Sequence, residues 1–413
     1  LTRNRPVSLV LAGIGGMGAS YLDELLSQPG PPRFRLVGAV DPAPQRSRHR
    51  AGLQAMRIPI YESLEAFYAE QTAELAVISS PIADHASQTC LALSRGSHVL
   101  CEKPAAAVIQ DVRMMSAAEA EAGRYVAVGF QWSFSRAVQE LKADIRSGLY
   151  GPPRRLRCVY LWPRDESYYG RNDWAGRLRD ARGRWVLDGP ANNAMAHDLH
   201  NMLYVLGEAR ESSARPVRAQ AELYRAYAIE GCDTLAGRVI TREGVEILVF
   251  FSHATGADIG PVLSYEFEGG TVLASGRNAS LKGVFRDGRI KDYGSPDVAP
   301  FQKLWDSLDA VRSGRTPACG LEAASSQTLC VNGFHESSPD IRDFPRRMLD
   351  SEGPRGGRHI IARGLEETFV HCYQQGRLPS EAGVVWARRG AEVDLEDYRE
   401  FPAPKPEAHG SRA

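Results

Sequence analysis

Short apolar runs recur through the first 130 residues, at Val7–Ala12, Phe34–Val40, Leu75–Ser79, His98–Cys101 and Tyr125–Gly129. Between them apolar residues return every three or four positions, which predicts helices around Ala19–Leu26, Leu64–Ala69, Ala86–Ser94 and Ile109–Ala122. Strands separated by helices of this length read as β-α-β crossovers and a parallel sheet covered on both faces. Ser94-Arg-Gly-Ser97 fits a helix stop, because Gly96 can take the left-handed conformation before the next strand.

After Gly129 the pattern changes. A helix is expected over Ser135–Ser147, ending at Gly148, and Gly151-Pro-Pro153 then breaks the chain. Alternating or β-branched stretches at Arg155–Trp162, Val217–Tyr227, Thr234–Thr241, Glu246–Ser252 and Ser264–Phe267 read as strands. Glu268-Gly-Gly270 and Arg286-Asp-Gly288 read as hairpin turns. The expected organisation is a doubly wound α/β domain over residues 1–130 and an α+β domain over 131–400. The second domain carries an open, mostly antiparallel sheet, with helices at Phe301–Ser313 and Leu321–Phe334 packed on it and a last helix over Ile360–Gln374. The Pro-rich, charged tail 401–413 is expected to be extended or disordered.

The first strand runs into Gly13-Ile-Gly-Gly-Met-Gly18, a Gly-x-Gly-x-x-Gly turn that opens a helix. A dinucleotide pyrophosphate needs that order: Gly13 for the tight turn, Gly15 for close backbone approach, Gly18 for helix–strand packing. The phosphates then sit on the free N–H groups of the helix start, so Ile14, Gly16 and Met17 belong to the same cradle. The second strand ends in Asp41, 23 residues past Gly18. A carboxylate there accepts from a ribose diol and repels a 2′-phosphate, which favours NAD over NADP.

Composition narrows the class without changing this picture. Fifty basic and fifty acidic side chains cancel, so neither nucleic acid nor a membrane surface is an expected partner. Seven scattered cysteines with no Cys-x-x-Cys pair suggest neither a disulfide framework nor a zinc site, and fit a reducing cytoplasm. No apolar run approaches a membrane span, and the N-terminus lacks a signal-peptide core.

Two further stretches carry chemistry. Ser80-Pro81 with His85, and Glu102-Lys103-Pro104, lie at the carboxyl ends of expected parallel strands, where ligands gather in doubly wound sheets. Lys103 there can share a proton with a substrate hydroxyl. In Asp188-Gly-Pro-Ala-Asn-Asn-Ala-Met-Ala-His-Asp-Leu-His-Asn201, helical spacing puts Asn193, His197 and His200 on one face. Histidine titrates near neutrality and suits proton transfer. The His197/His200 pair alone does not make a metal site, and none is expected. The aromatic and ionic stretch Trp162–Arg177 supplies Arg164, Tyr168, Arg171, Asn172, Trp174 and Arg177 as substrate-side candidates. Aromatic faces stack on sugar rings, while Arg and Asn read hydroxyls or a carboxylate. Asn332, His335 and Glu336 are weaker candidates for the same pocket.

Taken together, the glycine turn, Ser80-Pro81 with His85, Glu102-Lys103-Pro104, Gly129-Phe-Gln-Trp132 and the His197 helix ending at Gly207 resemble the Gfo/Idh/MocA family of nicotinamide-dependent oxidoreductases. The resemblance implies a Rossmann domain and a C-terminal domain whose open sheet often forms a dimer or tetramer interface. It implies hydride transfer at a hydroxyl carbon of a sugar, sugar acid or cyclitol, with Lys103 and His197 as catalytic residues. It brings Gln131, Trp132 and Trp174 to the nicotinamide and substrate. Two departures stand out. The family's Asp four before the catalytic His is Asn193 here, and the Asp three after it is His200. Of the usual glycine run upstream, Leu187-Asp-Gly189 keeps only the last glycine. An amide cannot hold a charge that raises a neighbouring pKa, so Lys103 is expected as base, His197 as hydrogen-bond donor and Asn193 as orienting group. An alternative, also found in the family, is redox-neutral glycoside cleavage with tightly bound NAD; Asp198, His200, Tyr168 and Tyr169 suit its extra proton transfers.

Overall fold

The computed structural model describes residues 5–28 and 33–403. The first sheet is formed by β1 (Val7–Ala12), β2 (Phe34–Val40), β3 (Ile60–Tyr61), β4 (Leu75–Ile78), β5 (His98–Cys101) and β6 (Val126–Val128). Between them run α1 (Gly16–Leu26), α2 (Arg50–Ala55), α3 (Leu64–Glu70), α4 (His85–Ser94) and α5 (Ile109–Ala122). The strand order is β3-β2-β1-β4-β5-β6, all parallel. The order reverses between β1 and β4, which opens the ligand crevice at their carboxyl ends. The central strands read as apolar runs because both of their faces are covered: Leu9, Val10, Leu11, Leu75, Ala76, Val77 and Ile78 are all buried.

After α6 (Arg136–Arg146) the chain builds a ten-stranded sheet. Its first eight strands are β7 (Pro153–Leu161), β8 (Pro216–Arg225), β9 (Thr234–Thr241), β10 (Glu246–Ser252), β11 (Ile259–Phe267), β12 (Gly270–Ser275), β13 (Lys282–Phe285) and β14 (Ile290–Asp292), and two short strands nearer the C-terminus pair with β8 to complete it. Short α7 (Glu166–Gly170) and α8 (Ala196–Val205) lie between β7 and β8. Then come α9 (Gln302–Ser313), α10 (Leu321–Ser337), β15 (Arg342–Asp343), the β16 (Leu349–Glu352)–β17 (His359–Ala362) hairpin, α11 (Leu365–Gln375) and β18 (Val393–Asp394). The sheet is mostly antiparallel, with parallel pairing of β7 with β10 and of β8 with β15. Both expected hairpin turns are present, joining β11 to β12 and β13 to β14.

Four features differ from the expectation. First, α9 returns to the first sheet and packs on β1, β4 and β5, while α10 packs on β8 of the second sheet. Second, the helix expected over Ile360–Gln374 is a strand and a helix. Gly364, with φ +75°, separates β17 from α11, and β17 finds its partner in the polar strand β16. Third, the tail does not begin at 401. Phe401 packs on Trp185, with ring centroids 5.0 Å apart, and exchanges two hydrogen bonds with Gln110; the rest of the expected tail, 404–413, lies outside the described residues. Fourth, the centre of the second sheet's outer face is not free for a subunit contact. Val159, Leu161, Ala236, Leu248 and Phe250 are covered by Phe344, Ala362, Leu365, Phe369, Cys372 and Leu378 of the same chain. Association through that area would have to displace α11. Among the described residues no helix is long and apolar enough to cross a membrane.

Candidate active site

The glycine turn has the geometry its sequence demands. Gly13 has φ +81°, and a Cβ there would stand 2.5 Å from the Ser79 carbonyl oxygen. A Cβ on Gly18 would stand 1.9 Å from the Gly13 carbonyl oxygen, so only glycine lets α1 lie this close to β1. Gly15 caps α1, and a Cβ on Gly15 or Gly16 would meet no atom within 4 Å. The helix start is therefore an open cradle of N–H donors, which fits a pyrophosphate. Asp41 sits at the end of β2, where its carboxylate accepts from the Ile14 N–H at 3.0 Å and from the Ala43 N–H at 2.8 Å. Ser47 Oγ donates to the Ile14 carbonyl. Asp41 and the glycine turn thus form one braced unit.

One strand further across the crevice, His85 ties two loops together. Its Nδ1 lies 2.8 Å from the Pro104 carbonyl and its Nε2 3.1 Å from the Ser80 carbonyl. That anchors the Glu102-Lys103-Pro104 loop to the end of β4, beside Ser79, which Gly13 abuts. Glu102 itself is buried, accepting from Tyr21 Oη at 2.7 Å and from the Lys103 backbone N–H at 3.2 Å, and paired with Lys303 Nζ. Burial pushes its carboxyl up, but Lys303 and Tyr21 outweigh this and hold it below its ordinary value. Glu102 is therefore an ionised anchor inside the protein, positioned beneath the lysine.

Lys103 Nζ donates to the Asn193 carbonyl at 2.7 Å and lies 3.2 Å from Asn193 Oδ1. The amide orientation is set from behind, because Asn193 Nδ2 donates to Asp188 Oδ1 at 2.9 Å. Asp188 Oδ2 accepts from the Gly176 N–H at 2.6 Å and lies 3.9 Å from Arg171. Burial holds the Asp188 carboxyl above its ordinary value, against the pull of these donors. Burial brings Lys103 down to about 8, with Glu102 resisting and Lys303 adding to the shift. His197 is half-buried, its Nδ1 unpartnered, and its ring stacks near Trp132 with centroids 6.1 Å apart. Burial, then Lys103 and Lys303, push its pKa well below the ordinary imidazole value, so it is neutral at pH 7. Trp132 Nε1 donates to Asp297 Oδ1 at 2.7 Å.

Lys103, Asn193, His197, Trp132, Tyr168 and Arg171 thus converge beyond the carboxyl ends of β4 and β5. Other candidates do not join them. Asn193 does not share a helix face with His197, since α8 starts only at Ala196 and Asn193 belongs to the turn before it. His200 is turned into the core: its ring stacks on Phe130 at 3.9 Å, its Nε2 lies 3.0 Å from Ser133 Oγ, and burial lowers its pKa to about 3. Asp198 is buried, and desolvation raises it to about 8, so it is largely protonated at neutral pH. Asn172 Oδ1 accepts from the Trp174 and Ala175 N–H groups and shapes a turn. Arg177 pairs with Glu230 at the surface, at 3.5 Å. Asn332 bridges the Ile109 N–H and the Ala107 carbonyl, His335 is buried near Phe401, and Glu336 accepts from Tyr398 Oη. These three are packing groups. Sequence reasoning passed over Asp188, Asp297 and Lys303. Of these only Asp188 left a signal, as the acid interrupting the glycine run upstream of Asn193.

The family model described as "Oxidoreductase family, NAD-binding Rossmann fold" (GFO_IDH_MocA) matches residues 7–130. Residues 7–130 thus match the nucleotide-binding domain of the Gfo/Idh/MocA oxidoreductase family. A 1-carboxy-3-chloro-3,4-dihydroxycyclohexa-1,5-diene dehydrogenase of Comamonas testosteroni is 32% identical over 149 residues, 36% of each chain. An inositol 2-dehydrogenase of Rhodococcus erythropolis is 28% identical over 164 residues, 40% of this chain and 46% of that protein. The chain thus spans less than half the length of these two relatives. The WlbA dehydrogenase of Bordetella pertussis, solved with NADH and UDP-GlcNAcA, superimposes with a TM-score of 0.67 at 22% identity. That likeness covers 81% of this chain and 97% of the other, and it shows the shared two-domain fold.

Proposed function

We propose that this protein is an NAD-dependent oxidoreductase of the Gfo/Idh/MocA type acting on a hydroxyl carbon of a sugar, sugar acid or cyclitol. The observation that carries the reading is Lys103, an amine brought to about 8 and aimed by Asn193, at the strand ends that flank the nucleotide turn. Gly13, Ile14, Gly15, Gly16, Met17 and Gly18 hold the pyrophosphate and Asp41 the adenosine ribose. Ser80, Pro81, His85, Glu102, Gln131 and Trp174 line the rest of the cofactor path. When bound, NAD supplies the acceptor or donor of hydride.

In the oxidation direction, neutral Lys103 takes the hydroxyl proton while neutral His197 donates a hydrogen bond to the same oxygen. Asn193 holds the amine in place, and Asp188 keeps the Asn193 amide oxygen turned toward it. Trp132, Tyr168 and Arg171 border the ring of the substrate. Asp188 is a positioning residue, acting through Asn193.

The glycosidase alternative gains nothing from these relatives, which are dehydrogenases by name. Asp198 and His200, the extra ionisable groups that suggested it, are both buried and uncharged at pH 7. Assembly into a homo-oligomer remains part of the proposal, through surfaces other than the one α11 covers. The seven cysteines are all free, in keeping with a cytoplasmic setting.

The test is absorbance at the NADH band with NAD and a panel of cyclitols, sugars, sugar acids and aryl glycosides. Stoichiometric NADH with an oxidised ring product, lost in Lys103→Met, is the expected result. Aglycone release without net NADH would refute net oxidation.

A further inference from the structure

We infer that the substrate carries an anionic substituent, a carboxylate or a phosphate, bound by Arg164. The inference rests on the reading of this site as one that binds a hydroxylated ring.

Along β7 and its extension, side chains alternate between the two faces of the sheet. Cys158 and Tyr160 belong to the inner core with α8; Val159 and Leu161 face α11. The same alternation carries Trp162 and Arg164 to the inner side, beyond the strand end. The Arg164 N–H still donates to the His253 carbonyl at 3.1 Å, which fixes the backbone there. Its guanidinium lies 3.6 Å from the Trp162 ring centroid and 4.8 Å from that of Tyr168. Arg171 lies 3.7 Å from that same Tyr168 ring and reaches on to Asp188. One tyrosine therefore separates Arg164 from the Asp188–Asn193–Lys103 chain.

The charge balance singles this arginine out. Arg171 has Asp188 at 3.9 Å, and the neighbouring Arg277, also over Trp162, is paired with Asp258. Among the described residues Arg164 makes no ion pair, and its Nε is buried with no hydrogen-bond partner. His253 beside it is buried and neutral. A half-buried guanidinium without a counter-charge is costly, and two aromatic faces offset only part of that cost. Its planar fork of N–H donors matches the oxygens of a carboxylate or a phosphate. A substrate bearing either would supply the missing charge while its ring lies between Tyr168 and Lys103.

The test is calorimetric titration of the NADH-saturated protein with glucuronate, glucose 6-phosphate and glucose. At least one anion is expected to bind about tenfold or more tightly than glucose, the gain typical of a charge-assisted hydrogen bond. Which anion gains tells carboxylate from phosphate. Arg164→Gln is expected to erase the preference and leave NADH affinity unchanged, while Arg164→Lys keeps part of it. Anions that bind no better than glucose, or a preference that survives in Arg164→Gln, overturn the inference. Failure of the wild-type protein to bind NADH at all overturns the nucleotide-site reading instead.

Discussion

A single substitution, Asn193 where the family pattern has Asp, reorganises the proton balance. The charge is not gone; it has moved one side chain back, to Asp188, and reaches Lys103 through an amide. Asp188 raises the Lys103 pKa, against the larger lowering effect of burial. Replacing Asp188 by Asn removes that support and frees the Asn193 amide to turn. Asp188→Asn is therefore expected to move the ascending limb of the pH–rate profile to lower pH and to reduce kcat more than it raises KM. An unchanged profile would leave Asp188 as a packing group only. This arrangement was half legible. The departure at Asn193 could be read from the sequence, but its partner could not, because residues 188–195 form turns rather than the helix whose spacing was used. The same misplaced spacing grouped His200 with the catalytic residues. With α8 starting at Ala196, the ring three residues beyond His197 stacks on Phe130 and lies in the core.

Among elements, those that announced themselves were apolar strands buried on both faces and the glycine turn, whose every requirement is local. The spacing in Phe301–Ser313 marks α9 as a helix but does not say which sheet it covers, since amphipathic spacing tells that a face is buried and not against what. Its placement matters, because it delivers Lys303 to Glu102 across 201 residues of chain. Both side chains are almost wholly out of solvent, and removing one partner leaves a buried, unpaired charge. Lys303→Met is expected to destabilise the fold by about 3–5 kcal/mol, measured by chemical denaturation. The double variant with Glu102→Gln should recover much of the loss. Equal stability of wild type and Lys303→Met would show that Glu102 has another counter-charge. In the glycine turn, Gly18→Ala places a methyl 1.9 Å from the Gly13 carbonyl; the expected outcome is loss of NADH binding by fluorescence titration.

At the scale of the molecule, the second sheet is a wall with two different faces. The inner face carries α8 and α10 and with them the site; the outer face is closed by the chain's own residues 344–378. That closure was illegible in advance because it depends on a polar strand, β16, and on short apolar pieces that carry little periodicity. Phe369 stands at its centre, fully buried, against Phe250 at 5.7 Å. Phe369→Ala is expected to cost about 3–5 kcal/mol while leaving KM for NAD unchanged, since nothing of the nucleotide site touches that face. A stability loss within about 0.5 kcal/mol, the scale of an ordinary surface substitution, would mean that α11 is not closely packed on the sheet.

The measurement that bears most directly on the whole account is the pH dependence of kcat/KM for hydroxyl oxidation. Lys103 must be neutral to accept the proton, so the rate is expected to rise through a midpoint near pH 8 and level off above it. In Lys103→Met the residual rate should be lower by a factor of about 10²–10⁴ and lose that limb. A rise through the same midpoint in Lys103→Met, or a wild-type rate independent of pH between 6 and 9 (from about two units below that midpoint to about one above), would contradict it.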